Sequence, residues 1–319
     1  MRSTSSRAVR VGIGDDCAVL AVPRGHELTV TTDLLLETTH FRRDWHTPEA
    51  VGHRCLARGL SDLAAMGARP LAAFLSFAIP PELAGAWASR FLRGLLALAQ
   101  AAKVPLAGGD TAQAPGGRPL FTADILLLGS VPTGTAMLRS GARAGDLVYV
   151  SGALGGAAAE LATLAAGPGR LRRLRTASRE HPHLFPQPRL AQGLRLRSLA
   201  TAAIDLSDGL STDLAHLCEA SQVGAEIEQA LLPVHALALR SRDPHALALH
   251  GGEDYELLFT ASAKIPIPRT IQGVKLHRIG RITPAPGARK PRLSLLRADG
   301  TREVLENGGW EHFRTPASR

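Results

Sequence analysis

The apolar, β-prone runs of this chain keep ending in aspartate. Leu28 to Thr32 runs into Asp33, Val104 to Ala107 leads into Gly108-Gly109-Asp110, and Ala203-Ile204 into Asp205. Further acids stand in GIGDD (Asp15, Asp16), in LSDLAAMGA (Asp62) and in DLSDG (Asp208). Lysine and arginine are almost absent beside them, so these carboxylates find no salt-bridge partner in their own segments. Such a group either stays in water or meets a positive charge brought from elsewhere. Carboxylates that converge are the usual way to hold hard cations such as Mg²⁺, which takes oxygen ligands and is shared with substrate phosphates.

Between the acids, strand-like runs alternate with helical patterns. Thr47-Pro48-Glu49 starts a helix, with a Thr cap, a Pro at the first helical position and an acid in the first turn, and Gly67 ends it after about Met66. Ala72 to Ile79 reads as a buried strand, Pro81 opens a helix reaching about Ala102, and Phe121 to Leu128 is another strand. A polar, glycine-rich connector near Arg139–Gly145 marks a domain boundary. Beyond it lie a strand at Asp146–Ser151, a glycine-rich turn at Gly152–Gly156 and a helix at Ala157–Ala166. A helix from about Arg189 follows, and DLSDG then opens a helix to about Ser221. Strands are expected at Tyr255–Thr260 and Lys275–Ile279. The pattern predicts two α/β (α+β) domains, residues 1–138 and 139–319.

The length of 319 residues suits two such cores, and 45% hydrophobic with 20% charged residues is an ordinary globular balance. No window reaches 18 uninterrupted apolar residues, and the N-terminal stretch lacks the apolar core of a signal peptide. Cys17, Cys55 and Cys218 are odd in number and far apart, which argues against disulfides or a zinc site and for a reducing, cytoplasmic setting. The net charge of +9 is partly local: Arg170, Arg172, Arg173, Arg175, Arg179, Arg189, Arg195 and Arg197 form one basic stretch. It reads as a solvated helix face or as a nucleic-acid patch, and a single aromatic residue, Phe185, falls within it.

Several nucleotide-binding signatures are missing. There is no GxxxxGK[ST], no kinase HRD or DFG set and no GxSxG. SGALGG lacks the GxGxxG pattern and reads as a tight turn. Each aspartate has an ordinary alternative: a turn for Asp15 and Asp16, a polar residue exposed on an apolar helix for Asp62. For Asp208, N-capping and ligation both stand. One helix start needs one cap, so capping does not explain Asp205 and Asp208 together. GGEDYEL packs three acids and Tyr255 at a loop-to-strand junction, where Glu253 suits a cationic organic group and Glu256 alternates into the strand as a solvated side chain. His40 alone reads as structural.

Taken in order, GIGDDCAVL, TTDLLLETTHF, LSDLAAMGARP, GGDT, LRSGARAGD, VYVSGALGG, AIDLSDGLSTDL and HGGEDYELLFT resemble the thiamine-monophosphate kinases, from about Val11 to Phe313. The resemblance implies an aminoimidazole-ribonucleotide-synthetase-like fold in two domains. The first domain would bind ATP and Mg²⁺ and pair through its sheet in a homodimer. It also implies transfer of the γ-phosphoryl of ATP to thiamine phosphate. Several Mg²⁺ ions would be held by Asp16, Thr31, Thr32, Asp33, Asp62, Asp110, Asp205 and Asp208. ATP would be contacted by Gly109, Asp110, Arg139 and Ser207, and thiamine phosphate by His40, Glu253 and Trp310. An aromatic face attracts a cation, which suits Trp310 to the thiazolium. No side chain is implied as a general base. Relative to the family the stretch before GIGDD is short and Arg/Ser-rich, LETTHF lacks a glycine before the His, and Gly59 stands where Asn is common.

Two rivals remain. One is another ATP-dependent phosphoryl-transfer enzyme of the same superfamily with a different small acceptor. The other, of a different class, is an RNA-binding module using the arginines between 170 and 197, whose binding would weaken steeply with salt. Nucleic acid and membrane are not expected as partners.

Overall fold

The computed structural model describes residues 8–117, 120–167, 181–285 and 293–310. The chain divides into two compact units, Met1–Ala136 with Thr163–Ser198, and Met137–Ala162 with Leu199–Arg319. The first crossing lies close to the boundary expected after residue 138. The second half is not one continuous block, because Thr163–Ser198 groups with the first unit.

In the first unit, β1 (Val9–Val11) pairs antiparallel with β2 (Val19–Leu20). A four-stranded sheet is built from β3 (His26–Leu36), β4 (Arg69–Ile79), β5 (Leu106–Gln113) and β6 (Thr122–Pro132), in the order β3-β6-β4-β5. β3 and β6 pair antiparallel along their whole length, from His26 opposite Pro132 to Leu36 opposite Thr122. The period of two sends Ala123, Ile125 and Leu127 of β6 into a core with α1 (Pro48–Ala65) and α2 (Ala86–Ala101). On the other face Leu28, Val30 and Leu34 of β3 stay 46%, 57% and 53% exposed.

α1 begins as its sequence predicts: the Thr47 hydroxyl accepts the Ala50 N–H at 3.3 Å and Pro48 occupies the first turn. It ends at Gly67, whose φ is 65°. α2 starts later than expected. Pro81–Leu83 makes a single 3₁₀ turn, and the α-helix is entered only after Gly85. β5 runs longer than expected, because Gly108-Gly109-Asp110 stays extended and pairs in parallel with β4.

α3 (Gly156–Ala165) follows the glycine-rich turn, and α4 (Leu190–Leu196) packs on α1, where the Arg197 guanidinium donates to the Gly67 carbonyl at 2.9 Å. Arg170, Arg172, Arg173, Arg175 and Arg179 lie outside the described residues.

The second unit contains β7 (Leu147–Ser151), β8 (Ala202–Asp205), β9 (Gly224–Glu228), β10 (Leu257–Ala261), β11 (Thr270–Ile271), β12 (Val274–Thr283), β13 (Leu293–Leu296) and β14 (Arg302–Val304). Their order is β14-β13-β9-β12-β7-β10-β8, with β11 pairing onto β12. All of these pairings are antiparallel except β13 with β9. α5 (Leu210–Ser221) and α6 (Pro244–His250) complete the unit. Leu214 and Leu217 of α5 and Leu249 of α6 are buried in the same core as Val148, Ile204, Leu258 and Ile279. The three cysteines are unpaired. Among the described residues, no helix is long and apolar enough to cross a membrane.

Candidate functional site

The candidate residues fall into two groups, one in each unit. In the first unit the β alternation splits the TTD tripeptide. Thr31 and Asp33 turn toward α1, and Thr32 turns to the opposite, exposed face. The Thr31 hydroxyl donates to Asp62 Oδ2, and Asp33 Oδ1 accepts from the Arg58 guanidinium at 3.2 Å. Arg58 and Asp62 lie four residues apart on α1 and so share one helix face. The sheet and the helix thus bring Thr31, Asp33 and Asp62 together. Burial pushes the Asp33 carboxyl up to about 6; Arg58 opposes this, while Asp62 and Asp124 add to it. Asp62 is not an isolated exposed acid, as one ordinary reading had it. Arg58 is a partner the motif reading missed, although its spacing from Asp62 was visible.

The GIGDD loop lies between β1 and β2, with Asp15 and Asp16 exposed and the Asp16 N–H donating to Asp15 Oδ1 at 2.9 Å. This loop and β5 line one broad cleft of about 1330 Å³, which includes Asp15, Asp16, Gly109 and Asp110. Gly109 has φ 148°, and a Cβ there would overlap the Leu75 carbonyl. Asp110 Oδ1 accepts the Thr111 N–H at 2.8 Å. His40 accepts the Leu36 N–H at Nδ1 (2.9 Å), which places any ring proton on Nε2, and its carbonyl takes the buried Arg54 guanidinium at 3.1 Å.

In the second unit the DLSDG loop joins β8 to α5. Gly209 is the helix cap and makes no side-chain bond, so neither Asp205 nor Asp208 caps α5. The loop is held instead by Asp213, in the first turn of α5, whose Oδ2 accepts the N–H groups of Asp208 (3.1 Å) and Gly209 (3.0 Å). Asp213 went unremarked in the sequence; its signal is an acid in a first turn. Burial, then Asp205, then Asp208, push its carboxyl up to about 8.

Opposite this loop runs GGEDYE. The Glu253 N–H donates to the Ser207 carbonyl (2.7 Å) and the Tyr255 N–H to the Leu206 carbonyl (2.8 Å). Glu253 and Tyr255 have φ of 67° and 49°, a region that side-chain-bearing residues enter at a cost and mostly at functional sites. The irregular backbone also breaks the expected alternation, so Glu256 is not solvated. It is 4% exposed and accepts the Ser151 hydroxyl at 2.5 Å. Trp310 docks on the same loop, its N–H donating to the Asp208 carbonyl at 3.0 Å, with its side chain half exposed. Ser207, Asp208, Glu253 and Trp310 are therefore neighbours. Arg139 is not among them: its carbonyl accepts the Ser221 hydroxyl at 2.8 Å, at the far end of α5.

Every donor in both groups is a carboxylate, hydroxyl or carbonyl oxygen, the set that suits Mg²⁺ rather than a softer metal. Among the described residues no three acid, His or Cys side chains stand close enough to form a ready cluster. Burial, with neighbouring acids adding to it, raises Asp33 and Asp213, and a bound cation would favour their charged forms.

Comparison with known proteins bears on the family of the chain. Residues 14–131 match the family model described as AIR synthase related protein, N-terminal domain. Thiamine-monophosphate kinase of Escherichia coli K12 is 40% identical over 330 aligned positions, which span 99% of this chain and 96% of that protein. The crystal structure of thiamine-monophosphate kinase from Stenotrophomonas maltophilia K279a matches with TM-score 0.77 and 35% identity, over 90% of this chain and 91% of that one. AaThiL complexed with AMPPCP and TMP matches with TM-score 0.74 and 29% identity, over 92% of this chain and 89% of that one.

Proposed function

This chain belongs to the thiamine-monophosphate kinase family, and we propose that it transfers the γ-phosphoryl group of ATP to thiamine phosphate, giving thiamine diphosphate and ADP. A structural neighbour's complex with an ATP analogue and TMP supports both substrates. Of this chain's own geometry, the docking of Trp310 on the Asp208 carbonyl carries the reading furthest. That bond, made by the backbone N–H, brings Trp310, whose aromatic face attracts a cationic ring, to the loop that carries Asp205 and Asp208.

The acceptor is a phosphate monoester, whose second pKa is about 6, so at neutral pH most of it is already dianionic. No general base is needed. The barrier lies in bringing two anions together and in line. In this reading Asp16, Thr31, Asp33, Asp62, Asp110, Asp205 and Asp208 hold Mg²⁺, and Thr32 joins them through its backbone. When bound, the metal neutralises charge on the phosphate oxygens. Arg58 partners Asp33, the Thr31 hydroxyl orients Asp62, and Asp213 fixes the backbone of Asp208. Gly109, Asp110, Arg139 and Ser207 contact ATP; His40, Glu253 and Trp310 contact thiamine phosphate. Transfer is direct, and a phosphorylated side chain trapped with labelled ATP would contradict that.

The apolar outer face of β3 supports a homodimer formed through the first units' sheets. The enzyme would work in the cytoplasm. Incubation with ATP, Mg²⁺ and thiamine phosphate, followed by chromatography, tests the reaction. Thiamine diphosphate should form, and Asp62→Asn should lower the rate by about a thousandfold, the several kcal/mol of lost metal charge stabilisation. ATP binding without product from the unmodified protein would reject thiamine phosphate as the acceptor.

A further inference from the structure

The segment before Trp310 fits its seat only because two side chains are missing. Leu305 is buried and its N–H donates to the Leu293 carbonyl at 3.0 Å, which fixes where the segment leaves the sheet. From there Asn307-Gly308-Gly309-Trp310 crosses the start of α5. The Gly308 N–H donates to the Ser211 hydroxyl at 3.3 Å, and that hydroxyl meets His250 Nδ1 at 2.9 Å. A Cβ at Gly308 would press on the His250 ring, 2.5 Å from Nδ1. At Gly309 a Cβ would overlap the Asp208 carbonyl and stand 2.5 Å from Thr212 Oγ1. Neither glycine has the positive φ that would call for glycine on conformational grounds. Their absence of side chain serves close approach alone. Ser211 is wholly buried, and His250, the last residue of α6, is half-buried, so the contact rests on the core on its Ser211 side.

We infer that Ser211, His250, Gly308 and Gly309 form a strap that positions Trp310 on the DLSDG loop and so sets the enzyme's affinity for the cationic ring of its acceptor. None of the four touches the substrate; they are positioning residues acting through Trp310. The proposal rests on the reading of Trp310 as part of the thiamine phosphate site. Because the Trp310 backbone N–H is bonded to the carbonyl of Asp208, displacing the strap shifts Trp310 relative to the DLSDG loop.

The test uses full-length protein carrying Gly309→Ala, Ser211→Ala, Trp310→Ala and the Gly309→Ala/Trp310→Ala pair. Steady-state KM is measured for each substrate separately. Acrylamide quenching of Trp310 is read in a Trp45→Phe/Trp87→Phe background. Gly309→Ala should raise KM for thiamine phosphate about tenfold, the worth of one ring–cation contact, and leave KM for ATP within about twofold. The paired variant should be no worse than Trp310→Ala alone. Quenching should rise in both Gly309→Ala and Ser211→Ala. Unchanged quenching in both variants overturns the strap, and so do additive effects in the pair. If Trp310→Ala leaves KM for thiamine phosphate unaltered, the assignment of Trp310 to the acceptor site fails. The strap is then judged on the quenching alone.

Discussion

Asp213 holds Asp208 by the main chain, accepting its N–H at 3.1 Å and that of Gly209 at 3.0 Å through one carboxylate oxygen. The helix N-terminus favours an anion at this place, while burial and the nearby Asp205 and Asp208 oppose it. The loop is thus anchored by a carboxyl group whose charged form its burial and its neighbours disfavour, and a bound cation would favour that form.

Removing that anchor takes the side-chain acceptor from one buried N–H, that of Gly209, and one partly buried N–H, that of Asp208. Asp213→Ala should cost about 1–3 kcal/mol of folding stability, the usual range for a buried group left unsatisfied. The Mg²⁺ concentration for half-maximal activity should rise by about tenfold, as for other residues that orient metal ligands. Asp213→Asn keeps an acceptor oxygen and should recover most of the stability. Urea denaturation and Mg²⁺ titration of the activity measure the two effects.

The same carboxylate gives a pH dependence whose sign is fixed. The folded pKa of Asp213 is raised to about 8 from an ordinary value near 3.8, so the folded state binds the proton more tightly than the unfolded one. The stability linked to that proton is complete below the unfolded pKa and is lost as pH rises through about 8. Without divalent cation, the stability of the unmodified protein should therefore fall relative to Asp213→Asn between about pH 4 and 8, from the unfolded to the folded pKa. Thermal melts in EDTA check this, and saturating Mg²⁺ should flatten the difference.

Gly109 stands where β5 passes close to Leu75 with φ at 148°. Gly109→Ala meets both a steric overlap and an unfavourable backbone region, each worth about 1–3 kcal/mol. Calorimetry should show a lower Tm. Because Asp110 follows directly, ATP binding should weaken as well.

Val30 is 57% exposed in the middle of the apolar outer face of β3. If that face is the dimer contact, Val30→Asp buries an unpaired charge there, and the dissociation constant should rise about a hundredfold or more. Sedimentation velocity would then show monomer at concentrations where the unmodified protein is dimeric.

α1 was readable to within a residue or so because both its ends carry chemistry of their own, Thr47-Pro48-Glu49 at one and Gly67 at the other. The strands β3, β4 and β6 announced themselves as β-prone runs. β9, β13 and β14 did not, since GAEIE, LSLL and REV are too short and mixed to show a period. Gly108-Gly109 reads as a turn in isolation, and only the pairing with β4 keeps it extended. At the site the acids were legible as residue types. Their partners were not: Asp33 meets Arg58 across 25 residues, and Glu256 meets Ser151 across 105. Contacts that long are set by topology, and no local pattern encodes them.

The division of Thr31, Thr32 and Asp33 between two faces of one strand makes the long β3–β6 ladder a guardian of chemistry as well as of shape. A slip of one residue would exchange the ladder pairs for new ones in almost the same number. It would turn Thr31 and Asp33 to the outer face and bring Val30 and Leu34 to the side of Arg58 and Asp62 instead. Such a chain would be paired along its strands yet would no longer bring Thr31, Asp33 and Asp62 together. Faithful pairing far from the phosphates is thus a precondition for handling them.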